Sequence, residues 1–464
     1  MTEHSAATSC RPPNGHTFLA IGQDLFSIQD YVTEMYNFSL HEYIDQKNAT
    51  SKRSIIPHPP SLPTREEVLP AAYMVYTDLQ KLEGLSEPTD YGSGIEFANG
   101  LTSTSGLQIG LWLGGSKGCR DIVYRKLDDR VEQLYRYLEE APFDHIFVRL
   151  GYEFDNPQFA YSHDPAMFRQ AFRMVVQGCR QRSKCDAKTS FVWHSWAAGL
   201  PRHQSLQDYY PGNDFVDWMG ISLFQQFYPH GTLGNINDVR DVLEFAKPIE
   251  KPVMIAESTP FGGIPHLKDP WNEWFVPVLD LIDDYDIAMW SYINCDWESQ
   301  PMWHNVGFGN TRLAHNRTVL KLWYHHVQNN PRFLKKSNGL CEATTLPAVE
   351  SSHSLSSLML DELGENAPSS NAWDGVGRYW YGFLFLLVMF WCVRFFSLSD
   401  KAVVYYGQTT SEYGQAHSRN SKRQSRLSLI EEGDEGEEEE EEEEASTSLM
   451  EQYSSDIFLK LCRR

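Results

Sequence analysis

The 464-residue sequence predicts an α/β fold: a closed (β/α)8 TIM barrel, then a disordered stalk, a single transmembrane helix and an acidic disordered tail. Three observations predict the barrel. Eight short apolar runs alternate with helix-like stretches between Thr17 and about Cys341. Most of these runs are apolar throughout, as strands covered on both faces of a parallel sheet must be. No glycine-rich dinucleotide loop follows the first run, which disfavours an open doubly wound sheet.

The runs follow in order. FLAIG covers Phe18 to Gly22, AAYMVYTDL covers Ala71 to Leu79, and LQIGLWLG covers Leu107 to Gly114. HIFVRL precedes Glu153, and TSFVWHSW spans Thr189 to Trp196. FVDWMGISLF spans Phe215 to Phe224, PVMIAES ends at Ser258, and IAMWSYIN runs from Ile287 to Asn294. Between them, Leu127, Val131, Leu134 and Leu138 recur at helical spacing, as do Phe168, Ala171, Phe172, Val175 and Val176. Asp164 before Pro165 is a helix start. Val239, Val242 and Leu243 mark another helix, and Trp274, Val278, Leu279 and Ile282 one more.

Outside the barrel, composition decides. The expected organisation is an extension over 1–16, the barrel over 17–341, a stalk over 342–378, a membrane helix over 379–398 and a polar, acidic tail over 399–464. The stretch YWYGFLFLLVMFWCVRFFSL, Tyr379 to Leu398, has the length and aromatic content that a bilayer span requires. Basic residues after it (Lys401, Arg419, Lys422, Arg423 and Arg426) place the tail in the cytosol by the positive-inside rule. The barrel is then extracellular or luminal, where sequons at Asn37, Asn48 and Asn316 would be glycosylated. The N-terminus shows no recognisable signal peptide, which sits awkwardly with that placement.

A net charge of −22 argues against nucleic acid as a partner. Much of it sits in Glu431 to Glu444, where twelve acidic residues meet no basic one. Such a block repels itself and buries nothing. The eight cysteines form no CxxC pair, so a zinc ribbon is not expected. Cys179 and Cys185 can close a short loop, and Cys10 and Cys341 bracket the barrel and can pair; free thiols throughout are the alternative.

Two stretches carry the chemistry. FVRLGYEFD ends in Glu153 and Asp155, and VMIAESTPFG delivers Glu257. Each reads as a buried strand with a glutamate at its C-terminal end. In a barrel these ends converge on one mouth. Paired carboxylates there suit glycosidic cleavage, one holding a proton for the leaving oxygen and the other attacking the anomeric carbon. A lone glutamate after an apolar run is more often a solvated cap or an ion-pair partner.

Other residues fall at or near strand ends. Arg149 shares a strand face with Glu153 and can orient a carboxylate, or make a structural ion pair. His194 can touch sugar or Glu153, or be a satisfied rim histidine. Asp24 can bind a sugar hydroxyl or cap a helix. Tyr152, Trp193, Trp196, Phe224, Phe227, Trp290 and Trp297 are candidates to cover the apolar faces of sugar rings, with Trp290 the foremost platform and some of the others ordinary barrel packing. Tyr228 is a further substrate-binding candidate. Asn294 is a candidate hydroxyl ligand whose plainer role is closing a turn. No metal and no cofactor is expected.

With RLGYEF at Arg149 to Phe154, VDWMGISLF at Val216 to Phe224 and VMIAES at Val253 to Ser258, the sequence resembles glycoside hydrolase clan A, and within it family 26, which includes β-mannanases and related β-glycanases. The resemblance covers roughly residues 17–335. It implies retaining hydrolysis without a cofactor, Glu153 as acid/base and Glu257 as nucleophile. Where the family commonly has histidine before the acid/base, this chain has Tyr152. Where the clan often has a tyrosine supporting the nucleophile, it has Phe224, then Gln225, with Tyr228 in the following loop. The expected function is endo-acting hydrolysis of mannan or a related β-glycan by a membrane-tethered barrel. A weak or inactive carbohydrate-binding barrel is the alternative.

Overall fold

A computed structural model describes residues 10–50 except 24, 62–85, and 105–341 except 202, 232–233 and 302. All eight expected strands are present. They are β1 (Thr17–Gly22), β2 (Ala72–Asp78), β3 (Gly106–Trp112), β4 (His145–Leu150), β5 (Thr189–Ser195), β6 (Trp218–Leu223), β7 (Val253–Ser258) and β8 (Met289–Ile293). Each pairs with the next in parallel, and β1 pairs with both β8 and β2, closing the barrel. A short β9 (Phe333–Leu334) adds to the lower half of β1, at Thr17 and Phe18, below the residues that pair with β2.

The strands are buried on both faces because helices sheath the outside and side chains fill the inside. Phe18, Ala20, Ala72, Phe147, Val192, Trp218, Met254, Ala256 and Met289 belong to one interior cluster. Leu340 and the Cys10–Cys341 disulfide join that cluster at the N-terminal ends of the strands and floor the barrel. The Cα atoms of this disulfide are 4.7 Å apart. Cys179 and Cys185 are also bonded, so both pairings left open by the sequence are made.

The helices follow from local signals. Asp164 caps Pro165–Arg180 by accepting from the Met167 N–H at 3.0 Å. Its buried stripe is Phe168, Ala171, Phe172, Val175, Val176 and Cys179. Asn235 and Asp238 form a capping box at the start of Ile236–Ala246. The run around Trp274 opens with one wide π turn, Trp271–Phe275, before the regular helix Val276–Tyr285. Sequence reasoning missed the helices Leu25–Thr50, Gly115–Val123 and Arg317–Trp323.

The stalk, the Tyr379–Leu398 span and the acidic tail lie outside the described residues. Among the described residues no helix is long and apolar enough to cross a membrane.

Candidate active site

β4 delivers Glu153 through a sharp turn. Gly151 has φ 61° and Glu153 itself φ 52°, both in the left-handed region. A Cβ at Gly151 would lie 2.7 Å from the Phe168 ring, so glycine is required there on two counts. For Glu153 the conformation costs about 1–2 kcal/mol, offset by the bonds that hold the turn. The Asn156 N–H donates to the Glu153 carbonyl at 2.8 Å, and the Phe154 N–H to the His194 carbonyl at 3.2 Å.

β7 delivers Glu257 by a different device. Ile221 of β6 sits opposite Ile255, but the next residue, Ser222, sits opposite Glu257. The extra residue is Ala256, which packs inward with Met254 and Val192. This bulge sends Glu257 to the interior too, although strict alternation would turn it outward.

The two carboxylates meet. One oxygen of Glu153, one of Glu257 and a ring nitrogen of His194 all lie within 4.8 Å of one another. Glu153 is 4% exposed and Glu257 7%. Arg149, fully buried, forms an ion pair with Glu257 through its Nη1. The same Nη1 is 3.5 Å from His194 Nδ1. His194 Nε2 is 3.0 Å from Ser222 Oγ, and Ser222 Oγ donates to Glu153 Oε1 at 2.6 Å. Asn156 Nδ2 donates to Glu153 Oε2 at 3.0 Å. The Arg149 guanidinium lies 4.8 Å from the centre of the Tyr76 ring and 5.5 Å from that of Tyr152. Gly110 makes room for this stack, since a Cβ there would lie 2.6 Å from Arg149 Nη2.

The environments of the two glutamates differ. Burial, then the negative charge of Glu257, pushes the Glu153 carboxyl well above the usual range, although Ser222, Asn156 and Arg149 favour its ionised form. Burial and the Arg149 charge push His194 well below 6.5, so it is neutral. Three potential metal ligands meet here, but the Arg149 guanidinium already supplies the positive charge among them. One carboxyl disposed to hold a proton and another ion-paired nearby is the division of labour that glycosidic cleavage demands.

Several expected site residues lie elsewhere. Trp193 and Trp290 point out of the barrel, not into its mouth. Trp193 stacks on Phe154 at 4.4 Å and packs against Phe245 under the helices. Trp290 packs on Trp323 at 4.9 Å and donates to Ser258 Oγ at 2.9 Å. Both are fully buried, because the inward residues of β5 and β8 are their neighbours Val192, His194, Met289 and Ser291. Asn294 takes its plainer role: its Oδ1 accepts from the Leu313 N–H at 2.8 Å and closes the loop. The Tyr228 hydroxyl donates to the Phe261 carbonyl at 3.1 Å and stitches two loops together. Asp24 lies outside the described residues.

Phe224 and Trp297 belong to an apolar cluster with Met74, Ile293, Cys295 and Phe308, around the strand ends at the mouth. Both are buried, so neither ring is open to a sugar face. Its half-buried members are Trp196, Phe261, Trp303 and Val306, and these carry the outward apolar surface. Tyr152 keeps a half-buried place beside His194, with ring centres 6.4 Å apart.

Sequence reasoning missed Tyr76, Asn156, Ser222 and Asp155. Asp155 accepts from Ser195 Oγ at 2.7 Å and from the Trp196 N–H at 2.5 Å, fastening the Glu153 turn to the end of β5. Burial pushes its carboxyl up to about 6. The readable signal for Ser222 was its place two residues after Gly220 and four after Trp218, which sets it on the same strand face.

No family model matches the chain. It is 26% identical to a beta-1,3-xylanase from Alcaligenes sp over 71% of its own length and 66% of the relative's. It is 27% identical to the beta-1,3-xylanase TXYA from Vibrio sp, over 71% and 68%. The match thus spans about two thirds of those relatives. Among solved structures, a modular endo-beta-1,4-mannanase from Cellulomonas fimi aligns at TM-score 0.46 and 13% identity, covering 75% of this chain and 80% of that one. A GH26 beta-mannanase from Bacteroides ovatus aligns at TM-score 0.45 and 13% identity, covering 73% and 94%. In sequence the chain is similar to these two beta-1,3-xylanases over 71% of its length.

Proposed function

We propose that this barrel is a retaining, endo-acting hydrolase of β-linked polysaccharide, with Glu257 as nucleophile and Glu153 as acid/base. The approach of the two carboxylates within 4.8 Å carries the reading. Retaining glycosidases keep their carboxyls about 5–5.5 Å apart, and inverting ones leave about 6.5–9.5 Å for a water. In the first step a Glu257 oxygen bonds to the anomeric carbon, the glycosidic C–O bond breaks, and the Glu153 proton passes to the leaving oxygen. In the second, Glu153 takes a proton from water, whose oxygen displaces Glu257.

The two relatives make β-1,3-xylan the first polymer to test, with mannan and mixed-linkage β-glucan beside it. Reducing ends released from each, with E153Q and E257Q as controls, test the assignment. Loss of activity in both variants supports it, and unchanged hydrolysis in both overturns it. Early products of mixed length mark endo action. Phe224, which leaves Glu257 without the clan's tyrosine, favours the alternative of glycan recognition without cleavage; saturable binding with no product after long incubation would establish that instead.

The two disulfides support an oxidising compartment for the barrel, and hence an extracellular or luminal place with the bilayer crossed at 379–398. Protease protection in sealed vesicles tests this: a protected barrel and a cleaved tail are expected.

A further inference from the structure

We infer that His194 and Ser222 are positioning residues that form a one-way hydrogen-bond relay from Arg149 to Glu153, fixing Oε2 of Glu153 as the oxygen that carries the transferred proton. The inference rests on the acid/base reading of Glu153 and goes beyond it, to a named atom.

The direction follows from counting protons. Arg149 Nη1 can only donate. It faces His194 Nδ1 at 3.5 Å, so a proton on Nδ1 would set donor against donor. His194 is fully buried beside that guanidinium and is neutral, so its single ring proton sits on Nε2. Ser222 Oγ, 3.0 Å away, must then accept from Nε2. The one hydroxyl proton of Ser222 is left for Glu153 Oε1, at 2.6 Å. Were Oε1 itself protonated, two protons would compete for that short gap. Oε1 is therefore the acceptor oxygen in both protonation states. The acid proton belongs on Oε2, which keeps room for it while accepting from Asn156 Nδ2 at 3.0 Å.

The consequence is a shared cation. The Arg149 guanidinium pairs with Glu257 directly and polarises Ser222 toward Glu153 through the imidazole. Removing the Ser222 hydroxyl takes a donor from the ionised form of Glu153, so the carboxyl should hold its proton to higher pH.

The test uses the full chain. Nitrogen NMR of ring-labelled histidine, with H194Q to assign the signal, reads the tautomer without any turnover. Carbon NMR of side-chain-labelled glutamate, assigned with E153Q, follows the Glu153 titration in wild type, S222A and S222T. The expected results are a proton on Nε2, a Glu153 titration displaced upward in S222A, and restoration toward wild type in S222T. In the hydrolysis assay the alkaline limb of kcat/KM should move upward in S222A, with kcat down about tenfold and KM little changed. A proton on Nδ1, or a Glu153 titration unmoved by S222A, overturns the relay. A wild-type protein with the expected tautomer and titration that cuts no glycan would sink the hydrolase reading and leave the relay standing.

Discussion

Ala256 and Glu257 are neighbours in sequence, yet both turn to the interior of the barrel. Ala256 packs among Met254 and Val192, while Glu257 meets Arg149 one layer higher. A strand without the bulge would carry Glu257 into the helix layer. The site therefore depends on one extra residue in β7 as much as on the glutamate itself.

The first prediction concerns pH. On the proposed acid/base reading, the form of Glu153 that donates is the protonated one, and its carboxyl is raised by burial and then by Glu257. Activity should thus persist above the ordinary carboxyl range and fall as pH rises through the Glu153 value. Glu257→Gln removes the second cause, so the Glu153 titration should move down in that variant. A carboxyl titration by NMR checks the direction; an upward move would contradict the account.

Gly110→Ala tests the room beside Arg149, its register partner on the next strand. The added Cβ would lie 2.6 Å from both Arg149 Nη2 and Tyr76 Cδ1. Arg149 must shift and its hold on Glu257 must loosen. The expected cost is about 1–3 kcal/mol of stability, as for overpacking generally. Activity should fall about 100-fold, as a misplacement near 1 Å can cause. Denaturant unfolding and kcat measured together check both.

The tryptophans separate packing from binding. Trp290→Ala should cost about 3–5 kcal/mol of stability while KM of the folded fraction stays the same. Trp303→Ala, at a half-buried edge of the mouth cluster, should cost less stability than Trp290→Ala, because only part of its ring packs on Trp297 and Phe308. Its KM for polymer should rise about three- to tenfold if the ring covers a sugar face. The reverse pattern would return Trp290 to the role the sequence first suggested.

The floor disulfide has a thermal signature. Cys10→Ser with Cys341→Ser opens a link of sequence separation 331. Long closed loops contribute about 3–5 kcal/mol through the unfolded chain. A calorimetric scan should show a lower Tm in the double variant, with kcat/KM at low temperature preserved because the floor lies opposite the mouth.

The eight strands were legible because full burial leaves continuous apolar runs. The same burial hid which residues face inward. With both faces apolar, Trp193 and His194 read alike, as do Trp290 and Ser291, until a neighbour across the barrel fixes the parity. The meeting of Glu153 and Glu257 could be expected from strand-end convergence, but the β7 bulge left no compositional mark. The helix Leu25–Thr50 escaped because its buried stripe mixes Tyr31 and Ser39 with Ile28, Val32, Met35 and Phe38, which blurs the apolar period. Ser222 and Asn156 escaped because small polar residues gain meaning only from what they touch.

The joined cysteines at positions 10 and 341 give the barrel a mechanical property. A pull applied at those two points would be borne by a covalent bond, while the hydrogen-bonded strands between them stayed slack. Stretching the molecule from there should leave its catalytic end undisturbed until the sulfur bond is reduced.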